Sequence, residues 1–194
     1  MSDQLPVTSY QKEPLKKYLD DLAAKLPAPG GGSAAALNAG LGAALISMVV
    51  NFTLGKPKYS QYENELKAIL EKSENLRKEF LDLVDLDVSA YKSRNIKDAL
   101  DIPLKVCGLC LEGIELCPPL LTKGNVNLIS DVAVAAILLE SAFACAYFNV
   151  EINLKTLDDK KLTRVIRKEM LQKQKAVKRI RLETEDKVGK IIRG

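Results

Sequence analysis

Apolar residues recur along this chain at three- and four-residue steps from one end to the other, and alternating runs of β-branched and aromatic residues are almost absent. The pattern predicts an all-α fold, a single-domain bundle of long helices over residues 1–194 with a central Ala/Gly-rich apolar helix pair. The first helix is expected from Glu13 or Pro14, with Leu15, Tyr18, Leu19, Leu22 and Leu26 on one face, since proline suits a first turn. Pro27-Ala28-Pro29 stops it. Gly30-Gly31-Gly32 follows, and Ser33 is placed to cap a second helix over about 34–54. The small side chains of that helix allow another backbone to approach closely.

Gly55-Lys56-Pro57 breaks the second helix, and a long third one is expected from Ser60. Its stripe is Tyr62, Leu66, Ile69, Leu70, Leu76, Phe80, Val84, Val88 and Tyr91. Asp87 violates that pattern, because it lies three residues after Val84 and four before Tyr91, which puts a carboxylate on the apolar seam. A fourth helix is expected over about 98–117, with Pro103 near its start and Pro118-Pro119 ending it. Residues 124–131 read as a loop opening the next helix, with Ser130 or Asp131 near its N-terminus. From Val132 to Phe148 the chain is apolar on every side, which suits the centre of a core or a subunit interface.

The apolar stretches at 33–54 and 126–148 are long enough to be tested as membrane spans. The first contains Asn38 and Asn51 and the second Asp131 and Glu140. An acid in mid-helix costs about 2.5 to 3.5 kcal/mol on insertion scales, so buried helices of a soluble protein are the better reading. Residues 1–7 carry no secretory signal pattern, and a cytoplasmic location is expected.

Composition narrows the chemistry. The chain has 194 residues and no histidine, which removes Ser-His-Asp and Cys-His nucleophile pairs, zinc helices of the H-E-x-x-H type and imidazole bases together. Carboxylates, lysine, tyrosine, cysteine and backbone groups are what remain. The formal net charge is +4, but fourteen Lys/Arg stand against six Asp/Glu between Lys155 and Gly194, so the rest of the chain is net acidic. That basic tail also carries Leu162, Val165, Ile166, Met170, Val177 and Ile180, the mark of a packed helix with a solvated cationic face. Nucleic acid and membrane are not the expected partners.

Three glycines before a helix offer bare backbone N–H groups and a positive dipole end to an anion or a flat ring, although a tight helix connection explains them equally well. Neither nucleotide-binding glycine fingerprint is present. Cys107, Cys110 and Cys117 fall on one helical stripe and read as core, as does Cys145, so no metal site is expected. A buried carboxylate needs compensation. Asp131 is open to helix capping, Asp87 to a buried ion pair, and Glu140 is expected to face a basic residue.

Several motifs are more specific. Pro27-Ala28-Pro29-Gly30-Gly31-Gly32-Ser33, Met48-Val49 and Thr53-x-Gly55-Lys56 closely resemble the opening of the formiminotransferase-cyclodeaminase and methenyltetrahydrofolate cyclohydrolase family. Asp87-x-x-Ala90-Tyr91, Ile102-Pro103-Leu104, Gly124-Asn125, Ser130-Asp131 and the run Ala146–Val150 with Ile152-Asn153-Leu154 resemble its later motifs, over roughly residues 8–180. Two features depart from it: a short link from Tyr91 to Pro103, and cysteines 107, 110 and 117, which match no family motif.

The resemblance implies a helical homodimer with a folate groove close to the subunit interface. It implies hydrolysis of 5,10-methenyltetrahydrofolate to 10-formyltetrahydrofolate, with no cofactor beyond the folate substrate. On that basis Asp131 is expected as the base, Asp87 as a second carboxylate and Lys56 as the cation steadying a folate carboxylate or the developing oxyanion. Gly30, Gly31, Gly32, Ser33, Thr53, Asn125 and Ser130 are expected to bind substrate. The alternatives are cyclodeamination of 5-formiminotetrahydrofolate with release of ammonia, and a non-catalytic helical dimer that binds an anionic partner through the basic tail. The absence of room for a formiminotransferase domain favours hydrolysis over deamination.

Overall fold

The computed structural model describes residues 9–93 and 96–194, with side chains described outside 92–98. Among the described residues there is no β-strand. The helices are α1 Leu15–Ala23, α2 Gly31–Asn51, α3 Glu63–Ser93, α4 Ile96–Ile114, α5 Cys117–Lys123, α6 Ile129–Leu154 and α7 Lys160–Arg193, with short 3-10 turns at Tyr10–Lys12, Pro57–Tyr62 and Val126–Leu128.

Helices α2 and α6 form the centre. α3 packs on the far side of α2, α4 on α6, and α7 runs along α6 and α4. The central pair is antiparallel: Asn38 Nδ2 donates to the Leu138 carbonyl at 3.2 Å and to Ser141 Oγ at 3.0 Å, while Gly31 at one end faces Asn149 and Thr53 at the other meets Asn125. Both helices approach closely because their facing residues are small. Ala35, Ala36, Ala39 and Ala43 of α2 and Ala135, Ala136, Ala142 and Ala146 of α6 are all fully buried. Gly42 marks the tightest crossing, since a Cβ there would lie 2.8 Å from Leu139 Cγ and 3.2 Å from the Ala135 carbonyl oxygen.

Several expectations need correction. α2 begins at Gly31 with Gly30 as its cap, because the Gly30 carbonyl already accepts from Ala34 N, so Ser33 sits inside the first turn instead of capping it. Pro118 and Pro119 open α5 instead of closing α4, since a first turn has no use for the N–H that proline lacks. α4 starts and ends earlier than expected, and Asp98 lies outside the described side chains. On α1, Leu15 and Leu19 are exposed. That short helix is turned instead by Tyr18, whose ring meets Tyr10 edge-on at 5.1 Å, and by Asp21, which holds Tyr10 and Lys17. Tyr91, Leu162 and Val165 are exposed as well, and so is Cys145, which falls on the outer side of α6.

α2 and α6 are long and apolar enough to cross a membrane by length and composition, but the apolar window of α2 is 61% buried within the fold and that of α6 44%. Glu140 faces a cation as expected, with its carboxylate 3.9 Å from Arg181 of α7. What remains of α6 is an exposed row of Val134, Ile137, Phe148 and Ile152, and Leu41 of α2 and Phe52 just after that helix are exposed as well. A Gly42→Val substitution should push the central pair apart and cost about 1 to 3 kcal/mol of stability, read as a lower urea midpoint with an unchanged m-value.

Candidate active site

A cavity of about 210 Å³ opens where the start of α2, the end of α3 and the end of α6 converge, lined by Pro27, Ala28, Gly30, Gly31, Gly32, Asp87, Ala90, Tyr91, Ala99, Pro103, Asn149 and Asn153. The 3.6-residue repeat of α3 turns Asp87 inward beside buried Val84 and Val88, as its place on the apolar seam predicts. The first turn of α2 supplies what meets it. Ser33 N–H donates to Asp87 Oδ2 at 2.9 Å, and a Cβ on Gly32 would collide with the same carboxylate. Glycine at position 32 is therefore required by close approach.

Burial pushes the Asp87 carboxyl above the usual aspartate range, and the Ser33 N–H opposes this only in part. No ion pair of Asp87 occurs among the described residues. Its compensation comes from the backbone and from the positive end of α2. The opposite wall comes from α6, where Asn149 Nδ2 donates to the Cys145 carbonyl at 3.0 Å and Asn153 Nδ2 to the Ala99 carbonyl at 2.5 Å. Each carboxamide spends one N–H on these bonds, which leaves its second N–H and its oxygen for the cavity. A planar ligand would find acceptors on α3 and α6, donors at the glycine turn, and a desolvated negative charge suited to a delocalised cation.

The other expected residues gather at the far end of the central pair. Thr53 donates to the Val49 carbonyl at 2.6 Å and accepts from Asn125 N–H at 2.9 Å, while Asn125 Nδ2 reaches the Phe52 carbonyl at 3.3 Å and its Oδ1 accepts from Asn127 N–H at 3.2 Å. These bonds clasp the end of α2 to the loop before α6. Lys56 is exposed and lines a cleft of about 120 Å³ with Thr53, Tyr59 and Glu63. Ser130 is exposed and Asp131 half-buried in the first turn of α6, where a carboxylate also complements the helix dipole. The antiparallel register sets Asp131 level with Met48, so at a 1.5 Å rise per residue it lies roughly 20 Å along the axis from the Ser33–Asp87 contact. One chain brings Asp87 to Gly30–Ser33, but it does not bring Asp131, Lys56, Thr53, Asn125 or Ser130 to them.

Sequence reasoning assigned no role to Asn149, Asn153 or Tyr18. The two asparagines stand one turn apart near the end of α6, and that spacing is the available signal. Tyr18 read only as part of an apolar face. The cysteine stripe is core, as expected for Cys107, Cys110 and Cys117; burial pushes the Cys107 and Cys117 thiols up to about 12, which leaves them unreactive. No cluster of metal-ligating residues occurs among the described residues. A larger groove, about 610 Å³ between α3 and the end of α4, is rimmed by Glu65, Glu79, Glu112 and Glu115 and contains none of the motif residues. Its acids are half- to fully exposed, so it lacks the desolvated charge that distinguishes the Asp87 cavity.

This arrangement can be set beside known proteins. The chain is 39% identical to the methenyltetrahydrofolate cyclohydrolase of Methylorubrum extorquens, over 76% of this chain and 82% of that protein. It is 30% identical to the formimidoyltransferase-cyclodeaminase of Rattus norvegicus, matching 81% of this chain but only 33% of that longer protein. The solved structure of a formiminotetrahydrofolate cyclodeaminase from Thermotoga maritima superposes with a TM-score of 0.81 at 29% identity, covering 95% of this chain and 98% of that one. The family model described as formiminotransferase-cyclodeaminase matches residues 14–94 and 92–172. With the glycine turn, the half-buried Asp87 and the helical bundle that joins them, these matches show that the chain belongs to the formiminotransferase-cyclodeaminase family.

Proposed function

We propose that this protein hydrolyses 5,10-methenyltetrahydrofolate to 10-formyltetrahydrofolate. The observation that carries the reading is a desolvated carboxylate, Asp87, with no ion-pair partner among the described residues, set in a cavity against a helix N-terminus. Such a site is complementary to a delocalised cation, and the methenyl substrate is an amidinium. The 39% identity to a named cyclohydrolase supports this choice.

In this mechanism Asp87 holds the cation, orients a water toward the bridging carbon and takes its proton as the C–O bond forms. A proton affinity above the ordinary aspartate value makes it a better base near neutral pH. The N5–carbon bond then breaks as N5 gains a proton and the formyl group remains on N10, with one proton released overall. The glycine-turn amides, Asn149 and Asn153 fix the pterin ring.

Cyclodeamination of 5-formiminotetrahydrofolate is the second reading, favoured by the Thermotoga maritima structure. A chain of this size carries the cyclodeaminase name there, so the length argument for hydrolysis carries no weight. Both reactions pass through the same cation, and ammonia release from the formimino substrate separates them.

The protein works as a homodimer in the cytoplasm in this reading. The exposed row along α6 lies between the two polar clusters. A second copy packed antiparallel on that face would carry its own Asp131, Lys56, Thr53, Asn125 and Ser130 toward the first copy's Asp87, which makes Asp131 available as a second acid-base group and Lys56 as a partner for a folate carboxylate. Two-fold symmetry completes both sites at once.

Asp87→Asn should lower kcat/KM for methenyltetrahydrofolate by about 100-fold or more, followed as loss of the amidinium absorbance. The same change should raise stability at pH 7. A raised folded-state pKa contributes stability that is complete below the unfolded value near 3.9 and lost as pH climbs through the folded value. The gap between variant and wild type in urea titrations should therefore close as pH falls toward that unfolded value. Wild-type turnover by Asp87→Asn would overturn the role of this carboxylate.

Mixing inactive Asp87→Asn and Asp131→Asn chains tests the shared site. Random exchange should restore about a quarter of wild-type activity, because half of the dimers then hold one intact site of two. No recovery after verified subunit exchange would place the working residues within one chain.

A further inference from the structure

Tyr18 comes from α1, a nine-residue helix with exposed leucines, yet its ring is 4% exposed and its hydroxyl lies beneath the first turn of α2. There it shares a 3.1 Å hydrogen bond with Ser33 Oγ, and Ser33 is itself fully buried. The same Ser33 gives its backbone N–H to Asp87 Oδ2. A chain of two hydrogen bonds therefore joins α1 to the site carboxylate through one residue of the glycine turn.

The linkage is braced from behind. Tyr10 packs edge-on against Tyr18, donates its hydroxyl to Asp21 at 3.0 Å and donates its backbone N–H to Asp85 Oδ1 at 2.7 Å, two residues before Asp87 on α3. Ser9 Oγ donates to Asp85 Oδ2 at 2.6 Å. The loop of contacts thus starts and ends on α3. Tyr18 is the point where it reaches the glycine turn.

We propose that Tyr18 is a positioning residue for the reaction: its hydroxyl fixes the Ser33 side chain, and so aims the Ser33 N–H at Asp87. The inference rests on the functional reading above for its kinetic consequence, but the hydrogen-bond chain itself stands on geometry. A serine in a first helical turn is free to rotate toward other acceptors, and a rotated Ser33 would allow the glycine turn to shift against a carboxylate it already touches. The phenol is a better holder than a carboxylate, because it stays neutral. Burial and the nearby Asp87 both push its ionisation up, while the Ser33 bond opposes them.

The test is a cycle of Tyr18→Phe, Ser33→Ala and the double variant. Tyr18→Phe keeps the ring and its packing on Tyr10 and removes only the hydroxyl. Methenyltetrahydrofolate turnover should fall about 10- to 30-fold in kcat with KM changed less than twofold. The double variant should be no slower than the slower single one, the non-additivity expected of residues acting in series. Multiplicative losses, or a loss confined to KM, would overturn the proposal. A second measurement needs no substrate: the Ser33 amide proton resonance should move upfield in Tyr18→Phe and in Asp87→Asn, and stay in place in a control such as Tyr62→Phe. An unmoved Ser33 amide in Tyr18→Phe overturns the linkage even if turnover falls. Absence of folate turnover by the wild type together with a shifted amide would leave the linkage standing and refute the functional reading instead.

Discussion

The close antiparallel contact of α2 and α6 determines what the rest of the molecule can do. Alanines on both helices and Gly42 at the crossing let the backbones meet with little side-chain volume between them. Helices α3, α4, α5 and α7 are then placed by which side of this pair they cover. The arrangement also lines up the start of α2 with the end of α6, and the glycine turn with Asn149, without a long loop to position either. Glycine inside a helix weakens it as an isolated segment, and α2 carries Gly40 and Gly42. Packing density in the centre offsets that loss, because deeply buried neighbours such as Ile46, Leu139 and Phe143 fill the surrounding space.

The same contact sets the electrostatics at Asp87. Burying a carboxylate is costly, and among the described residues it is a helix N-terminus, not an ion pair, that meets the cost. The distinction matters for chemistry. A neutralised carboxylate would offer little to a cationic substrate, whereas one held, among the described residues, by the Ser33 N–H and a dipole keeps an appetite for a proton or a positive charge. Glycine at position 32 is what allows the approach, since any side chain there would displace the carboxylate.

Periodicity made the helices legible because each buries a continuous stripe, and Asp87 stood out as the exception to its stripe. The boundaries were less legible where two rules competed. Ser33 has the chemistry of a cap, yet Gly30 takes that place because the chain turns there, and the serine is used for a tertiary bond to Tyr18 instead. Pro118 and Pro119 could end one helix or begin another, and nothing in their own neighbourhood decides between these. The site was legible as a set of motifs but not as a geometry. Helical spacing gives the face on which a residue lies, whereas only the antiparallel register of α2 and α6 reveals that the glycine turn and Asp131 stand at opposite ends. Tyr18 was hidden for a related reason, since its partner is fifteen residues away across a turn that breaks any period.

The position of the exposed apolar row bears on how such a site operates. α6 is the most apolar long element with so much surface uncovered, and Phe148 is 78% exposed one residue before Asn149 of the cavity wall. An aromatic ring left in water beside a polar pocket has little reason to be there on stability grounds, because burying it would gain about 1.5 to 3 kcal/mol. Covering the row with a second copy would remove that surface from water and dry the rim of the Asp87 cavity. Drying the rim strengthens every electrostatic interaction inside it. The carboxylate's raised proton affinity, already set by its own chain, would then be held or increased by assembly, so that association and chemistry draw on the same helix face.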